Sequence, residues 1–158
     1  MFHIACTRFT QETYAENCAY RQTQNPHKPI YGTSVQIRPL YKPSVPIFVI
    51  EMNNDTNQVM GIGVIRNVRS RYSCKIHAHS DYNRHIYRGH YWLPRSQISP
   101  AILETLDTIL FKGKSHMKCR LGITILSDRI FRHWPQFDFY LLKARIQLLF
   151  VHAFREKK

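Results

Sequence analysis

Residues 46–68 read PIFVIEMNNDTNQVMGIGVIRNV, the segment with the strongest strand signals in the chain. Pro46–Met52 is an apolar, β-branched run bounded by turn-forming residues, which predicts a strand. The polar segment Asn53–Asn57 predicts a hairpin loop, and Val59–Val68 predicts a second strand that returns beside the first. Two glycines inside the second strand indicate a bulge or a close approach of another backbone. The sequence therefore places an antiparallel pair of strands near the middle of the chain.

The segments on either side alternate between strand and helix patterns. Thr10 has the residue type of a helix N-cap, and Glu12 follows it in the first turn. Ser99 and Pro100 form a similar start for a later helix. The predicted strands are Phe2–Cys6, Tyr72–His79, His85–Leu93 and Leu121–Leu126, and the predicted helices are Gln11–Gln22, one from Pro100 and one from Phe137. This order predicts one α+β domain over residues 1–158, with helices packed against a curled β-barrel.

The composition is that of a globular protein. Of 158 residues, 44% are hydrophobic and 13% aromatic, which excludes a disordered or collagen-like chain. The four cysteines form no CxxC pair and no signal peptide opens the chain, so we expect free thiols in an intracellular compartment, nucleus or cytoplasm. The most apolar stretch, Phe137–Phe154, is interrupted by charged and polar residues, so no membrane span is expected.

The charge is strongly basic and unevenly distributed. The chain has 23 Lys and Arg residues against 10 Asp and Glu residues, a formal charge of +13. Residues 61–158 hold 18 of the basic and 6 of the acidic residues, and so carry +12 of that charge. Such clustering is typical of proteins that bind a phosphate backbone. The alternative is a basic surface that serves only solubility.

A basic and aromatic region covers residues 66–95. Tyrosines and Trp92 lie between its arginines, and Asp81 is its single acidic residue. Guanidinium groups bind phosphates while aromatic faces stack on bases, so the region predicts binding of single-stranded nucleic acid. For Trp92 itself, burial in the core is the simpler interpretation. The candidate phosphate-binding residues here are Arg66, Arg69, Arg71, Arg84 and Arg88.

Residues 112–120 form a basic loop that contains no acidic residue. The loop resembles half of a phosphate-binding loop, but it lacks the GxxxxGK[ST] frame and no strand leads into it, which argues against a nucleotide triphosphatase. A clamp on a phosphodiester backbone and a solvated surface loop are both compatible with it. Its candidate phosphate-binding residues are Lys112, Lys114, Lys118 and Arg120.

The histidine-rich segment 74–90 raises the questions of metal binding and catalysis. If Ser73–His79 is a strand, Cys74 faces away from His77 and His79, so the three cannot ligate one ion together. His77 and His79 could still pair with His85 or His90, but protonatable histidines in a basic groove are the simpler interpretation. We therefore predict no metal and no cofactor. The acidic residues form none of the clusters that metal-dependent nucleases use. A histidine-based nuclease, with His77, His79 and Lys75 as its catalytic groups, remains an alternative.

The order of elements resembles that of a YTH domain, a member of the PUA-like superfamily together with the EVE and ASCH domains. Phe2–Thr7, a helix and Ile30–Ser34 resemble the opening of such a domain. The paired strands of residues 45–65 are similar to the family's paired strands. Tyr91-Trp92-Leu93 resembles the later strand with a buried tryptophan, and Arg120–Ile125 resembles the segment before the last strand.

The resemblance implies a reader of a modified base, typically N6-methyladenine in RNA. By position, Tyr31 matches the first aromatic residue of the base cage, Tyr82 or Tyr87 the second, Thr7 a polar residue beside it, and Arg120 a phosphate-binding arginine. We therefore expect a non-enzymatic protein that binds RNA first and DNA second, with a pocket for a modified or flipped base. An architectural DNA-binding protein that reads no base is the first alternative, and the nuclease is the second. The oligomeric state is left open.

Overall fold

The computed structural model describes residues 1–155, and the last three residues of the predicted domain, 156–158, lie outside the described part. The described residues form an α+β fold in which a six-stranded mixed sheet curls into a half-barrel. The strand order is β2-β5-β4-β3-β1-β6. The elements are β1 (His3–Phe9), α1 (Gln11–Gln24), β2 (Ile30–Thr33), β3 (Ile47–Asn53), β4 (Gln58–Arg69), β5 (His85–Pro94), α2 (Pro100–Phe111), β6 (Thr124–Ile125) and α3 (Phe139–Arg155).

The predicted hairpin is confirmed as the centre of the sheet. β3 and β4 pair antiparallel, with Ile47 opposite Ile65 and Ile50 opposite Ile62. All seven residues of β3 are buried, since β4 lies on one side of it and β1 runs parallel to it on the other. β1 also carries the short antiparallel strand β6.

Alternation along β3 divides the interior into two sides. Phe48, Ile50 and Met52 face the larger core cluster, which α2 and α3 complete. Ile47 and Val49 face the opposite side, where they join Tyr31 and other residues in a second cluster. Glu51 alternates in the same way as Ile47 and Val49 and so faces this second side. A carboxyl group therefore lies in the curled interior of the sheet.

The expected close approach at the glycines of β4 is confirmed. A Cβ on Gly63 would collide with the Tyr31 hydroxyl and would lie 2.6 Å from Pro29 Cβ. A Cβ on Gly61 would lie 2.9 Å from both the Leu93 carbonyl oxygen and Trp92 Nε1. These positions need glycine because large side chains from β2 and β5 cross directly over β4 as the sheet curls.

The predicted start of α1 is also confirmed. The Thr10 hydroxyl accepts a hydrogen bond from Thr13 N at 3.1 Å, and the Thr13 hydroxyl accepts one from Thr10 N at 2.9 Å. α2 starts at Pro100 as expected, although the Ser99 side chain makes no capping hydrogen bond. α3 starts at Phe139, two residues after the predicted start, and Asp138 Oδ1 accepts from Leu141 N at 2.8 Å.

Two of the predicted strands are wrong in whole or in part. No strand forms at 72–79, because side chains bind the backbone there: Asn83 Oδ1 accepts from the amides of Ile76 and His77, at 3.0 and 2.8 Å. The strand expected over 121–126 is reduced to Thr124–Ile125. Gly122 has φ +68°, a left-handed conformation that interrupts the extended chain two residues before this short strand begins.

No helix within residues 1–155 is both long and apolar enough to cross a membrane.

Candidate nucleic-acid interface

A cavity of about 240 Å³ opens where β1 ends and α1 begins. We call it the strand-end cavity. Its walls come from the end of β1, the first turn of α1, β2 and the segments around residues 54, 77–82 and 121–122. Of the predicted base-pocket residues, Thr7 and Tyr82 line it. The full lining is Thr7, Arg8, Phe9, Thr10, Thr13, Gly32, Thr33, Ser34, Asn54, His77, Tyr82, Leu121 and Gly122.

Gly32 allows the aromatic wall of this cavity to form. Residues Ser80–Asn83 make one short 3-10 turn that packs against β2. A Cβ on Gly32 would collide with the carbonyl oxygen of Tyr82 and would lie 3.3 Å from Ile86 Cδ1. The missing side chain therefore lets the turn lie against the strand and brings Tyr82 to the cavity.

Tyr82 is a partly accessible aromatic residue of the cavity lining. The residue is 39% exposed. Its ring centroid lies 5.0 Å from that of His79, and the ring meets His77 edge-on at 6.1 Å with an interplanar angle of 85°. Two histidines thus pack against the ring while part of the residue remains accessible.

His77 is a buried member of the cavity wall and is paired with Glu16 of α1. Its Nδ1 lies 2.9 Å from Glu16 Oε1, and the side chain is 3% exposed. Glu16 Oε2 accepts a second hydrogen bond from Ala78 N at 2.9 Å. That backbone bond is the main reason why the pKa of Glu16 lies below its ordinary value. Burial opposes the shift, and the bond to His77 adds to it.

The basic loop 112–120 is attached to the rim of the cavity through its backbone. The carbonyl oxygen of Lys118 accepts from Arg8 Nη1 at 3.1 Å and from Asn54 Nδ2 at 2.9 Å, and both donors line the cavity. Lys118 is half-buried, whereas the side chains of Lys112, Lys114 and Arg120 are exposed. The cavity lining therefore carries the positive charge of Arg8, and the basic loop joins it at Lys118, close in sequence to Arg120 and the lining residue Leu121.

A second, wider depression of about 610 Å³ lies between β4 and β5, and we call it the arginine groove. The pairing of the two strands shifts register between Val64 and Ile65 and again before Arg69, which opens the sheet there. Three of the predicted phosphate-binding residues, Arg66, Arg69 and Arg88, line the groove and are exposed.

The remaining predicted cations lie outside both depressions. Arg71 is exposed, and Arg84 is exposed with its guanidinium 2.9 Å from Asp81. Arg95 belongs to the same stretch of sequence, but its guanidinium binds Asp107 at 2.8 Å and the Val59 carbonyl at 2.8 Å. Arg95 is therefore a structural residue of the β4–α2 junction.

Two of the predicted base-pocket residues, Tyr31 and Tyr87, lie in the core. They are 1% and 0% exposed, and neither lines the strand-end cavity. The hydroxyl of Tyr31 donates to Glu51 Oε2 at 2.6 Å, and the hydroxyl of Tyr87 accepts from Ile37 N at 2.9 Å. The two residues are opposite each other in the β2–β5 pair, so both rings enter the same interior side. Of the four base-pocket candidates, Thr7 and Tyr82 alone line the strand-end cavity.

A buried polar cluster surrounds Glu51 beneath α1. Trp92 Nε1 donates to Glu51 Oε2 at 2.9 Å, the same oxygen that Tyr31 binds. The guanidinium carbon of Arg21, a residue only 4% exposed, lies 3.9 Å from the Trp92 ring centroid. Burial raises the pKa of Glu51, and the charge of Arg21 opposes that rise. The sequence predicts that Trp92 is a core residue. In the structure it is half-buried, and its indole nitrogen donates a hydrogen bond.

The other histidines are dispersed. His79 lies against Tyr82, and His85 Nδ1 lies 2.9 Å from Arg69 Nη1. Lys75 is exposed. Over the described range 1–155, no three His, Cys, Asp or Glu side chains converge as metal ligands would.

Several cavity residues were missed by sequence reasoning. Arg8 and Asn54 carried no motif, and Gly32 was noted only as part of the Ile30–Ser34 segment. His77 was considered, but its partner Glu16 lies 61 residues away. A glutamate inside a predicted helix gives no sign of such a contact.

Comparisons with protein-family models, with curated proteins and with solved structures found no match to this chain.

Proposed function

We propose that this chain is a PUA-like domain of the YTH type that binds single-stranded nucleic acid, RNA in preference to DNA. In this proposal one base enters the strand-end cavity and stacks on Tyr82. The observation that carries it is a cavity of about 240 Å³ whose lining includes the partly exposed Tyr82 and the cation Arg8. Pockets for drug-sized ligands occupy about 300–1,000 Å³, so 240 Å³ fits a smaller, planar group such as one nucleobase.

The distribution of cations supports the same proposal. In this proposal Arg8, which lines the cavity, and the loop 112–120, which contacts Arg8 through the Lys118 carbonyl, bind the phosphates that flank the base. The arginine groove offers a second set of guanidinium groups along the sheet. Phosphate contacts position a nucleic acid, whereas contacts inside a pocket select the base.

Replacing Tyr82 with alanine is the most direct test of the stacking surface. Stacking on an aromatic side chain contributes about 1–3 kcal/mol per base. We therefore expect Tyr82→Ala to weaken binding of single-stranded RNA by about 5- to 150-fold, measured by fluorescence anisotropy.

Tyr140→Ala is the matched control, since Tyr140 is an exposed tyrosine on α3 outside both depressions. We expect the control to bind as the wild type does. Equal affinities for both variants would argue against a base on Tyr82.

The second candidate function is sequence-independent binding of DNA by an architectural protein. The arginine groove favours it, because its three exposed arginines could bind any phosphate backbone without a base pocket. This candidate predicts that duplex DNA binds as tightly as single strands and that Tyr82→Ala has no effect.

A further inference from the structure

We propose that His77 reads the base in the strand-end cavity by accepting a hydrogen bond at Nε2 from an exocyclic amino group. The ligand class is thus an amino base, adenine or cytosine, with hypoxanthine and uracil disfavoured. This inference rests on the proposed function, because it names the chemistry that the same cavity selects.

The first step is the state of the His77 ring. Glu16 Oε1 lies 2.9 Å from Nδ1, and an ionised carboxylate only accepts hydrogen bonds. Nδ1 therefore carries the proton, which makes Nε2 the acceptor of the neutral ring. Glu16 is itself oriented by Ala78 N, which donates to its other oxygen at 2.9 Å. The tautomer is thus set by a carboxylate that cannot rotate freely.

The second step is that Nε2 is the polar atom that His77 offers to an occupant. Its backbone is already used: the amide donates to Asn83 Oδ1 at 2.8 Å, and the carbonyl accepts from Asn83 Nδ2 at 2.7 Å. Nε2 has no hydrogen-bond partner among residues 1–155. It is also not among the fully buried polar atoms of these residues that lack a partner, so part of its surface is accessible. Because the residue lines the cavity, this nitrogen is left for a ligand.

The third step is chemical complementarity. The amino group of adenine or cytosine presents N–H to an acceptor, and N6-methyladenine retains one such N–H. Hypoxanthine and uracil place a carbonyl oxygen at the corresponding position, where it would face the lone pair of Nε2. One neutral hydrogen bond is worth about 0.5–1.5 kcal/mol, or about 2- to 10-fold in affinity.

The test uses labelled uridine 9-mers with adenine, cytosine, hypoxanthine or uracil at the central position, titrated by anisotropy. We expect the wild type to prefer central adenine and cytosine by about 2- to 10-fold. His77→Phe keeps a flat ring without nitrogen, so it should lose the preference while it still binds all four oligonucleotides. His27→Phe, at an exposed histidine that lines neither the strand-end cavity nor the arginine groove, is the matched control and should keep the preference.

Glu16→Gln gives a readout that a merely structural role would not produce. Its amide oxygen can still accept from Ala78 N, and its NH₂ group would then donate to Nδ1 of His77. That arrangement moves the ring proton to Nε2 and should turn the preference toward hypoxanthine and uracil. ¹⁵N NMR of the imidazole nitrogens in the wild type and in Glu16→Gln reports the tautomer directly, independently of binding.

The outcomes separate the inference from the function on which it rests. Binding without any preference, or a preference that survives His77→Phe, overturns the role of His77 and leaves the proposed function standing. A wild type with no affinity for any of the oligonucleotides overturns both. Cleavage of the oligonucleotide that disappears in His77→Phe overturns base reading in favour of a nuclease.

Discussion

Glu51→Ala is expected to lower the free energy of unfolding by about 2–6 kcal/mol, because two buried donors lose their acceptor at a cost of about 1–3 kcal/mol each. The carboxyl group is fully buried and accepts from Tyr31 at 2.6 Å and from Trp92 at 2.9 Å. Its loss leaves both donors inside the protein without an acceptor. Burial lowers the pKa of the Arg21 guanidinium, and the charge of Glu51 does most to raise it. The substitution therefore also removes this favourable interaction.

Urea unfolding followed by tryptophan fluorescence measures this loss. Glu51→Gln keeps an oxygen acceptor at the same place, so we expect it to lose less stability than Glu51→Ala. Glu104→Ala removes an exposed carboxylate from α2 and should change stability by no more than about 0.5 kcal/mol. A Glu51→Ala variant as stable as Glu104→Ala would show that the cluster under α1 does not hold the fold together.

The second large effect concerns the basic loop beside the strand-end cavity. The double variant Lys114→Glu, Arg120→Glu is expected to weaken RNA binding by about 5- to 100-fold at low salt, since each reversal replaces attraction to phosphate with repulsion. Both side chains are exposed, so the reversal should leave the fold intact. The salt dependence should also become shallower by about 1.4 log units per decade of salt, about 0.7 for each lost phosphate contact on a single strand.

A matched double variant separates local contact from overall charge. Arg145→Glu with Arg155→Glu reverses two exposed arginines on α3 and lowers the formal charge by the same four units, from +13 to +9. If both double variants bind equally weakly, the loop contributes only to net charge. A larger loss for the Lys114 and Arg120 pair places the phosphates at the rim of the cavity.

The parts of the fold that the sequence predicts are those with strong local signals. The β3–β4 hairpin follows from two apolar runs around a polar loop. α1 follows from a capping threonine, which the structure confirms through the Thr10–Thr13 hydrogen bonds.

The candidate site depends on features that local patterns do not encode. Tyr31 and Gly32 are neighbours on β2, and strand alternation sends Tyr31 into the core while Gly32 faces the cavity. Which of them faces outward depends on how β2 pairs with β5 and how far the sheet curls. The segment 72–79 looked extended, yet its conformation is set by Asn83 and by Glu16 from a distant helix.

In the proposed function, a base from a single strand enters the strand-end cavity. The most direct measurement is an anisotropy titration of the wild type and Tyr82→Ala with single-stranded RNA, single-stranded DNA and duplex DNA. Each would be run with and without N6-methyladenine across a salt series. We predict that single strands bind more tightly than the duplex and that Tyr82→Ala removes most of this advantage. Equal binding of all three nucleic acids by both proteins, with the same steep salt dependence, would contradict the claim.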